Sequence, residues 1–337
     1  MASNGILLIL TLLVWYSHAQ AYTHPLAQQP HSSKIKETVE KIHNKEITFD
    51  ELRTSNDSGN IPAHFHEPFL SEVAKHYYLT YGTALQTRIH WGFSIQELHA
   101  AGIVPKIEKH KNYVRLNLSK MHINSLEGLQ HIPEIGMVTD LELQGNKIES
   151  LGPYAFAIMP NLRALNLNDN AIGTIAPNAF GRLRRLRVLN LDENKLTTLA
   201  PYLFAMLNCL EVLNLNDNKI RSIAYPTLAG LKKVKILGLA GNKITTIVPN
   251  PFFEMKQLEA LLLGRNLISI IPTDTFDGLI NLKFLDLCRN KIKTVSDNAF
   301  AKLPHLQNVS LFQNPLQKET RKSLREKVGS HIILIFF

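Results

Sequence analysis

Cysteine is nearly absent from this chain, with Cys209 and Cys288 the only two in 337 residues. That excludes the disulfide frameworks on which small exported domains depend, and it excludes cysteine-built zinc clusters. Motifs of catalysis are missing as well. There is no glycine-rich phosphate loop, no GxSxG elbow and no HExxH pair, so neither an enzyme nor a cofactor is expected. Long apolar runs are missing too: Gly5 to Tyr16 is a run of twelve residues, short of the roughly 20 that a helix needs to cross a bilayer. No membrane span is therefore expected in the mature chain. Lysine and arginine exceed aspartate and glutamate by 37 minus 28, a net charge of +9. Read along the chain, the excess is spread out, and no recognised nucleic-acid module accompanies it, so nucleic acid is not an expected partner.

What is present is a period. From Leu162 to Asn266 the pattern LxxLxLxxNxIxxI returns every 24 residues, opening at Leu162, Leu186, Leu210, Val234 and Leu258 and reaching asparagine at Asn170, Asn194, Asn218, Asn242 and Asn266. Leu189 and Leu191 alternate with Asn190 and Asp192, the period of a short strand with one buried face. The asparagine then turns the chain inward, where its amide can satisfy backbone groups that the turn leaves unpaired. Leu196 and Leu199 point back to the core. Phe204 fills the convex side, as Phe180, Phe252, Phe276 and Phe300 do in other units. No unit can bury its apolar face alone, so stacking makes the core.

This pattern resembles the 24-residue class of leucine-rich repeat common in exported proteins, and it covers Tyr113 to about Leu316 in nine units. The resemblance implies an α/β fold: a horseshoe solenoid with a parallel concave sheet. Both ends depart from the repeat. The first unit carries Met121 where the others have asparagine, and the last stops at Asn314 and Pro315. Exported animal relatives usually close both ends with cysteine-rich caps, so this chain is more similar to exported bacterial members. The two cysteines fall in different units, well over 10 Å apart at about 4.8 Å per strand, whereas a disulfide needs Cα atoms within about 7 Å. Both are expected to be free thiols.

The flanking segments read differently. Residues 1–21 have the form of a signal peptide, with Ala19, Gln20 and Ala21 as the small-x-small cleavage pattern, although Met1 to Asn4 lack the usual basic residue. An exported protein, extracellular or at a bacterial periplasm or cell surface, is the expectation. Residues 22–112 should form a helical amino-terminal cap over the first strand, with helices at Ser32 to Asn44 and Pro68 to Tyr81. Ser94 and Glu97 make a capping-box pattern, and Gly102 is a plausible helix stop. Ile61 to Tyr81 resembles an F-box helix. His64 and His66 flank Phe65 within a histidine-rich stretch, yet nothing in the sequence makes these imidazoles converge, and no metal site is assigned. Residues 317–337 should close the other end, Leu316 to Lys327 as helix and His331 to Phe337 as a strand continuing the sheet.

Function in such a scaffold is set by surface residues rather than by fold. On the concave face, the residue between the paired leucines is polar from Asn117 to Asn214 and becomes apolar or absent at Gly238 and Leu262. The expected partner site therefore lies in units six to eight, on Ile236, Gly238, Ala240, Ala260, Leu262, Gly264, Arg265, Phe284, Cys288 and Arg289. There Ile236, Leu262 and Phe284 would sit side by side, while Gly238, Gly241 and Gly264 leave room for a partner's backbone. A secondary acidic patch, Asp169, Asp192, Glu193 and Asp217, lies on its amino-terminal side. Arg182, Arg184, Arg185 and Arg187 read as a solvated convex edge. The reading is a monomeric, non-catalytic exported scaffold for a protein or peptide. A carbohydrate- or envelope-binding structural protein and a cytosolic adaptor with F-box-like helices remain open beside it.

Overall fold

The computed structural model describes residues 93–100, 107–247, 251–327 and 332–336, all within the unit Thr87–Phe337. The expected signal peptide, the helices before Phe93, the F-box-like segment, the His64 and His66 pair and Gly102 lie outside the described residues. What is described of the expected helical cap is one short helix, α1 (Ile95–Ala100). Its capping box is made as the sequence suggested: the Ser94 N–H donates to Glu97 Oε2 at 2.9 Å and the Glu97 N–H donates to Ser94 Oγ at 3.1 Å.

The repeats build an eleven-stranded sheet. Its strands are β1 (Ile107–Lys109), β2 (Val114–Asn117), β3 (Asp140–Glu142), β4 (Ala164–Asn166), β5 (Val188–Asn190) and β6 (Val212–Asn214), followed by β7 (Ile236–Gly238), β8 (Ala260–Leu262), β9 (Phe284–Asp286), β10 (Asn308–Ser310) and β11 (Ile333–Ile335). Strands β2 to β10 belong to coils 1 to 9 and pair in parallel. The register advances by 24 residues per coil from β3 onwards, so Leu165, Leu189, Leu213, Leu237, Leu261 and Leu285 form one buried row. Each such leucine contributes about 1.5–3 kcal/mol by leaving water, but only because the coils on either side cover it.

Two further rows hold the coils together. The asparagine side chains form a ladder in which each amide bridges its own coil and the one before. Asn218 accepts from the Leu196 N–H at 3.0 Å and donates to the carbonyls of Leu191, Leu215 and Asn216 at 2.9, 3.3 and 2.9 Å. Coil 1, with Met121 in place of asparagine, borrows its bridge from the next coil, where Asn146 accepts from both the Met121 and Ile123 N–H groups. On the opposite side, Phe156, Phe180 and Phe204 stack with centroids 6.5 and 6.0 Å apart, as do Phe252, Phe276 and Phe300 at 6.5 and 6.1 Å. The two stacks are interrupted in coil 5, where a single turn of helix, α2 (Tyr225–Leu228), puts buried Leu228 in the phenylalanine's place.

Both sheet edges are closed by strands. At the amino-terminal edge β1 pairs antiparallel with β2, turned by a hairpin in which the His110 N–H donates to the Tyr113 carbonyl at 2.9 Å. Within the segment expected to form the cap, a strand thus pairs with that edge and satisfies its row of N–H and C=O groups directly. At the other end α3 (Lys318–Lys327) precedes β11, which pairs in parallel with β10, Val309 opposite Leu334. This is the helix and strand read from the sequence.

Candidate functional site

Four rows of side chains cross the concave face, one residue per coil in each. The first is apolar over six coils: Ala164, Val188, Val212, Ile236, Ala260 and Phe284 stand in register. Val188 is 39% exposed and Ile236 and Phe284 are half-buried, whereas Ala260 is buried at 1%. Ile236 and Phe284 therefore flank a recessed alanine. Leu262 is not beside them in that row; it lies in the next one, between Gly238 and Asp286. The apolar surface is a stripe that extends back to coil 3, longer and narrower than the patch expected in units six to eight.

The second row shows why the glycines do not open a seat. In coils 1, 3, 4, 5 and 8 the last strand residue turns its side-chain oxygen onto the N–H two residues on: Asn117 to Ser119, Asn166 to Asn168, Asn190 to Asp192, Asn214 to Asn216 and Asp286 to Cys288. Gly238 has no side chain with which to do this. Asn216 of the preceding coil leans across it and accepts from the Ala240 N–H at 2.8 Å. A Cβ at Gly238 would meet Asn214 Oδ1 at 2.7 Å and Asn216 Oδ1 at 2.8 Å, and one at Gly264 would approach Asp286 and, at 3.0 Å, Cys288 Sγ. The space is already filled by polar side chains of this chain. Gly238 and Gly264 are accordingly buried, and both leave the set of residues that a partner could touch.

The third and fourth rows carry the charge. The residue before the ladder position, asparagine in every coil but the first, has a left-handed backbone throughout: Lys120, Gly145, Asp169, Glu193, Asp217, Gly241, Arg265, Arg289 and Gln313, with φ between 46 and 69°. The recurrence of glycine at two of these places, Gly145 and Gly241, was the sequence signal for that geometry. The row is acidic in coils 3 to 5 and basic in coils 7 and 8. Arg265 reaches across Gly241 to pair with Asp217 at 2.8 Å, joining coils 5 and 7. A Cβ at Gly241 would collide with Asp217 Oδ1 and lie 3.2 Å from Arg265 Nη2. Three of the four patch acids, Asp169, Glu193 and Asp217, thus share one row with the arginines, while Arg289 donates from Nε to Gln313 at 2.8 Å.

Crowding shows in the titration of the acids. Asp192, in the fourth row with half-buried Ala240 and Cys288, has its pKa pushed up to about 6, first by burial and then by the charges of Asp217 and Glu193. Glu193 is raised by partial burial and by Asp169 and Asp217. The Cys288 thiol is pushed up to about 12 by burial and by Asp286, which leaves it protonated and unreactive at neutral pH. Cys209 and Cys288 are both free.

Among the described residues, no helix is long and apolar enough to cross a membrane, and no three His, Cys, Asp or Glu side chains converge as a metal site would require.

Comparison with known proteins agrees with this architecture. A family described as leucine rich repeat matches residues 137–196, 168–220, 184–244, 210–268 and 256–316. Among solved structures, the chain is similar to a leucine-rich repeat protein of Leptospira interrogans, at 23% identity and a TM-score of 0.52. That match covers 66% of this chain and 60% of the Leptospira chain, so the similarity spans less than two thirds of that protein. No curated protein matches the sequence.

Proposed function

The chain belongs to the leucine-rich repeat family, and on that premise we propose that it is a non-catalytic binding scaffold that takes an extended protein or peptide segment along the concave face. The observation that carries this is the apolar row through Val188, Val212, Ile236 and Phe284, exposed or half-buried and on the same face as a row that changes from acidic to basic. From coil 4 to coil 8 the row spans four strand spacings, about 19 Å, the length of roughly six residues of extended chain. Apolar side chains of the ligand would bury against the row. The flanking charges would set its direction, which is how charge more often acts at interfaces. Export is part of the proposal, supported by the Gly5 to Tyr16 run and the Ala19 to Ala21 cleavage pattern; amino-terminal sequencing of the mature protein tests it.

Crosslinking the protein in its native setting, followed by mass spectrometry, identifies what it holds. With that partner in hand, Ile236→Asp and Phe284→Asp should each weaken binding by about tenfold or more, close to 1.4 kcal/mol, with the circular-dichroism melt nearly unchanged. Normal binding by both variants, with loss of binding in Glu193→Lys, would move the site to the acidic coils and sink the apolar-row assignment.

A further inference from the structure

Read along the chain, the positive charge looks dispersed; wound at 24 residues per coil it is not. The segments that lead into coils 4 and 6 have the same pattern two coils apart, Arg184, Arg185 and Arg187 in one and Lys232, Lys233 and Lys235 in the other. Two strand spacings place them roughly 10 Å from each other. The Arg182 to Arg187 group is therefore not an isolated convex edge. Arg184, Arg185 and Arg187 lie on the flank where chain enters the sheet, in line with Arg163 and Lys256 and with all of these side chains exposed.

The flank is only partly neutralised. Its inner row is balanced, since Glu211 in the intervening coil pairs with Arg187 at 3.4 Å and with Lys235 at 3.2 Å. Its outer rows are not. Asn208 and Cys209 stand between the two cation pairs, Arg185 donates to Asn161, and Arg184, Lys232 and Lys233 have no carboxylate at salt-bridge distance among the described residues. Glu254 is held by the Gly230 N–H and the Tyr225 hydroxyl, and Lys232 is close enough to favour its charged form without reaching salt-bridge distance. Farther along, Lys235, Gln257, Glu259, Asn281 and Lys283 line a shallow depression of about 250 Å³ on the same flank.

We infer that this flank binds a linear anionic polysaccharide, its acid groups on Arg184, Arg185, Lys232 and Lys233 and a sugar ring in the depression between Lys235 and Lys283. The chemistry of the neighbours selects this class of polyanion. Amides stand among the cations at Asn208 and Gln257, with the Asn281 oxygen left beside them after its Nδ2 donates to the Lys256 carbonyl, and amides can donate to and accept from ring hydroxyls. From coil 3 to coil 7 the entering segments expose no aromatic side chain on which a nucleic-acid base could stack. The depression borders the concave apolar row, since Lys235 and Lys283 directly precede Ile236 and Phe284, but Arg184, Arg185, Lys232 and Lys233 take no part in the apolar-row reading, so the two readings are tested by different variants.

The test uses the full mature chain and three immobilised probes: polygalacturonate for carboxylates, heparin for sulfates and neutral dextran. Binding to at least one acidic polysaccharide but not to dextran, tightening with oligosaccharide length and weakening with salt, is the expected result. Changing Arg184, Arg185, Lys232 and Lys233 together to Gln should lower that affinity by roughly tenfold or more and flatten its salt dependence, because fewer counterions are released. The control replaces Lys195, Lys219, Lys243 and Lys291 with Gln. These are exposed lysines just after the ladder asparagines, and their loss changes the net charge equally. Equal weakening by both sets would mean that net charge alone drives binding and would overturn the inference. So would no binding to either acidic probe, or duplex DNA binding as tightly with the same four residues. Matching circular-dichroism melts for the variants exclude misfolding as the cause.

Discussion

Asn218→Leu is the sharpest test of what holds the coils in register. Asn218 is 5% exposed and makes four hydrogen bonds, but its partners do not lose equally. The Leu191 carbonyl also accepts from Asn194, the Leu215 carbonyl from Asn242, and the Asn216 carbonyl from the Glu193 N–H. Each keeps a donor when Asn218 is replaced. The Leu196 N–H has Asn218 Oδ1 as its acceptor, so leucine leaves one buried donor unpaired. The expected cost is that of one orphaned group, roughly 1–3 kcal/mol, well short of four hydrogen bonds added together. Urea titration followed by far-ultraviolet circular dichroism measures it as a lower midpoint at unchanged slope. Asn218→Asp keeps an acceptor for Leu196 but sets a carboxylate against three carbonyls, and should cost at least as much. A midpoint for Asn218→Leu equal to wild type would refute the ladder as a source of stability.

Other measurements probe the face itself. Because burial and its acidic neighbours raise Asp192 from 3.8 to about 6, the folded state holds a proton that the unfolded chain releases earlier. This acid's contribution is therefore most favourable below pH 3.8, declines as pH rises to about 6 and is constant above that. Asp192→Asn removes the penalty and should stabilise the protein at pH 7 by roughly 1–2 kcal/mol after allowance for partial exposure, with no gain below about pH 4. Thermal melts across pH decide it, and a variant no more stable at pH 7 contradicts the crowding argument. For the cysteines, alkylation in denaturant without reductant should add two labels. In the folded state Cys288 should react slowly at pH 8, since its thiol titrates near 12; fast native labelling of Cys288 would show its surroundings to be more open than described.

Within the described residues the repeat exposed almost all of the fold to sequence reading, because in a solenoid one period fixes strand, turn, ladder and register together. The leucine rows, the asparagine ladder and the free cysteines follow from counting by 24. The amino-terminal end did not yield as well. Coil 1 closes with an antiparallel hairpin strand at Ile107–Lys109, in a segment without the repeat, where periodicity carries no information.

The site was harder to read than the fold because its decisive contacts run between coils, not within them. An alternation such as Leu237-Gly238-Leu239 says which face a residue occupies but not which neighbour occupies the space above it. Gly238 looked like an opening; in the structure it is where Asn216 of coil 5 crosses to cap Ala240 of coil 6. Gly241 likewise is the gap through which Arg265 reaches Asp217, two coils away. The same cross-coil logic turned a dispersed charge into a flank, since Arg184 and Lys232 are 48 residues apart in sequence yet two strand spacings apart in space. In a repeat protein, then, a residue's chemistry is set less by its neighbours in the chain than by the residues 24 and 48 positions away. A glycine there can be room for another coil's side chain rather than for a ligand, as at Gly238 and Gly241.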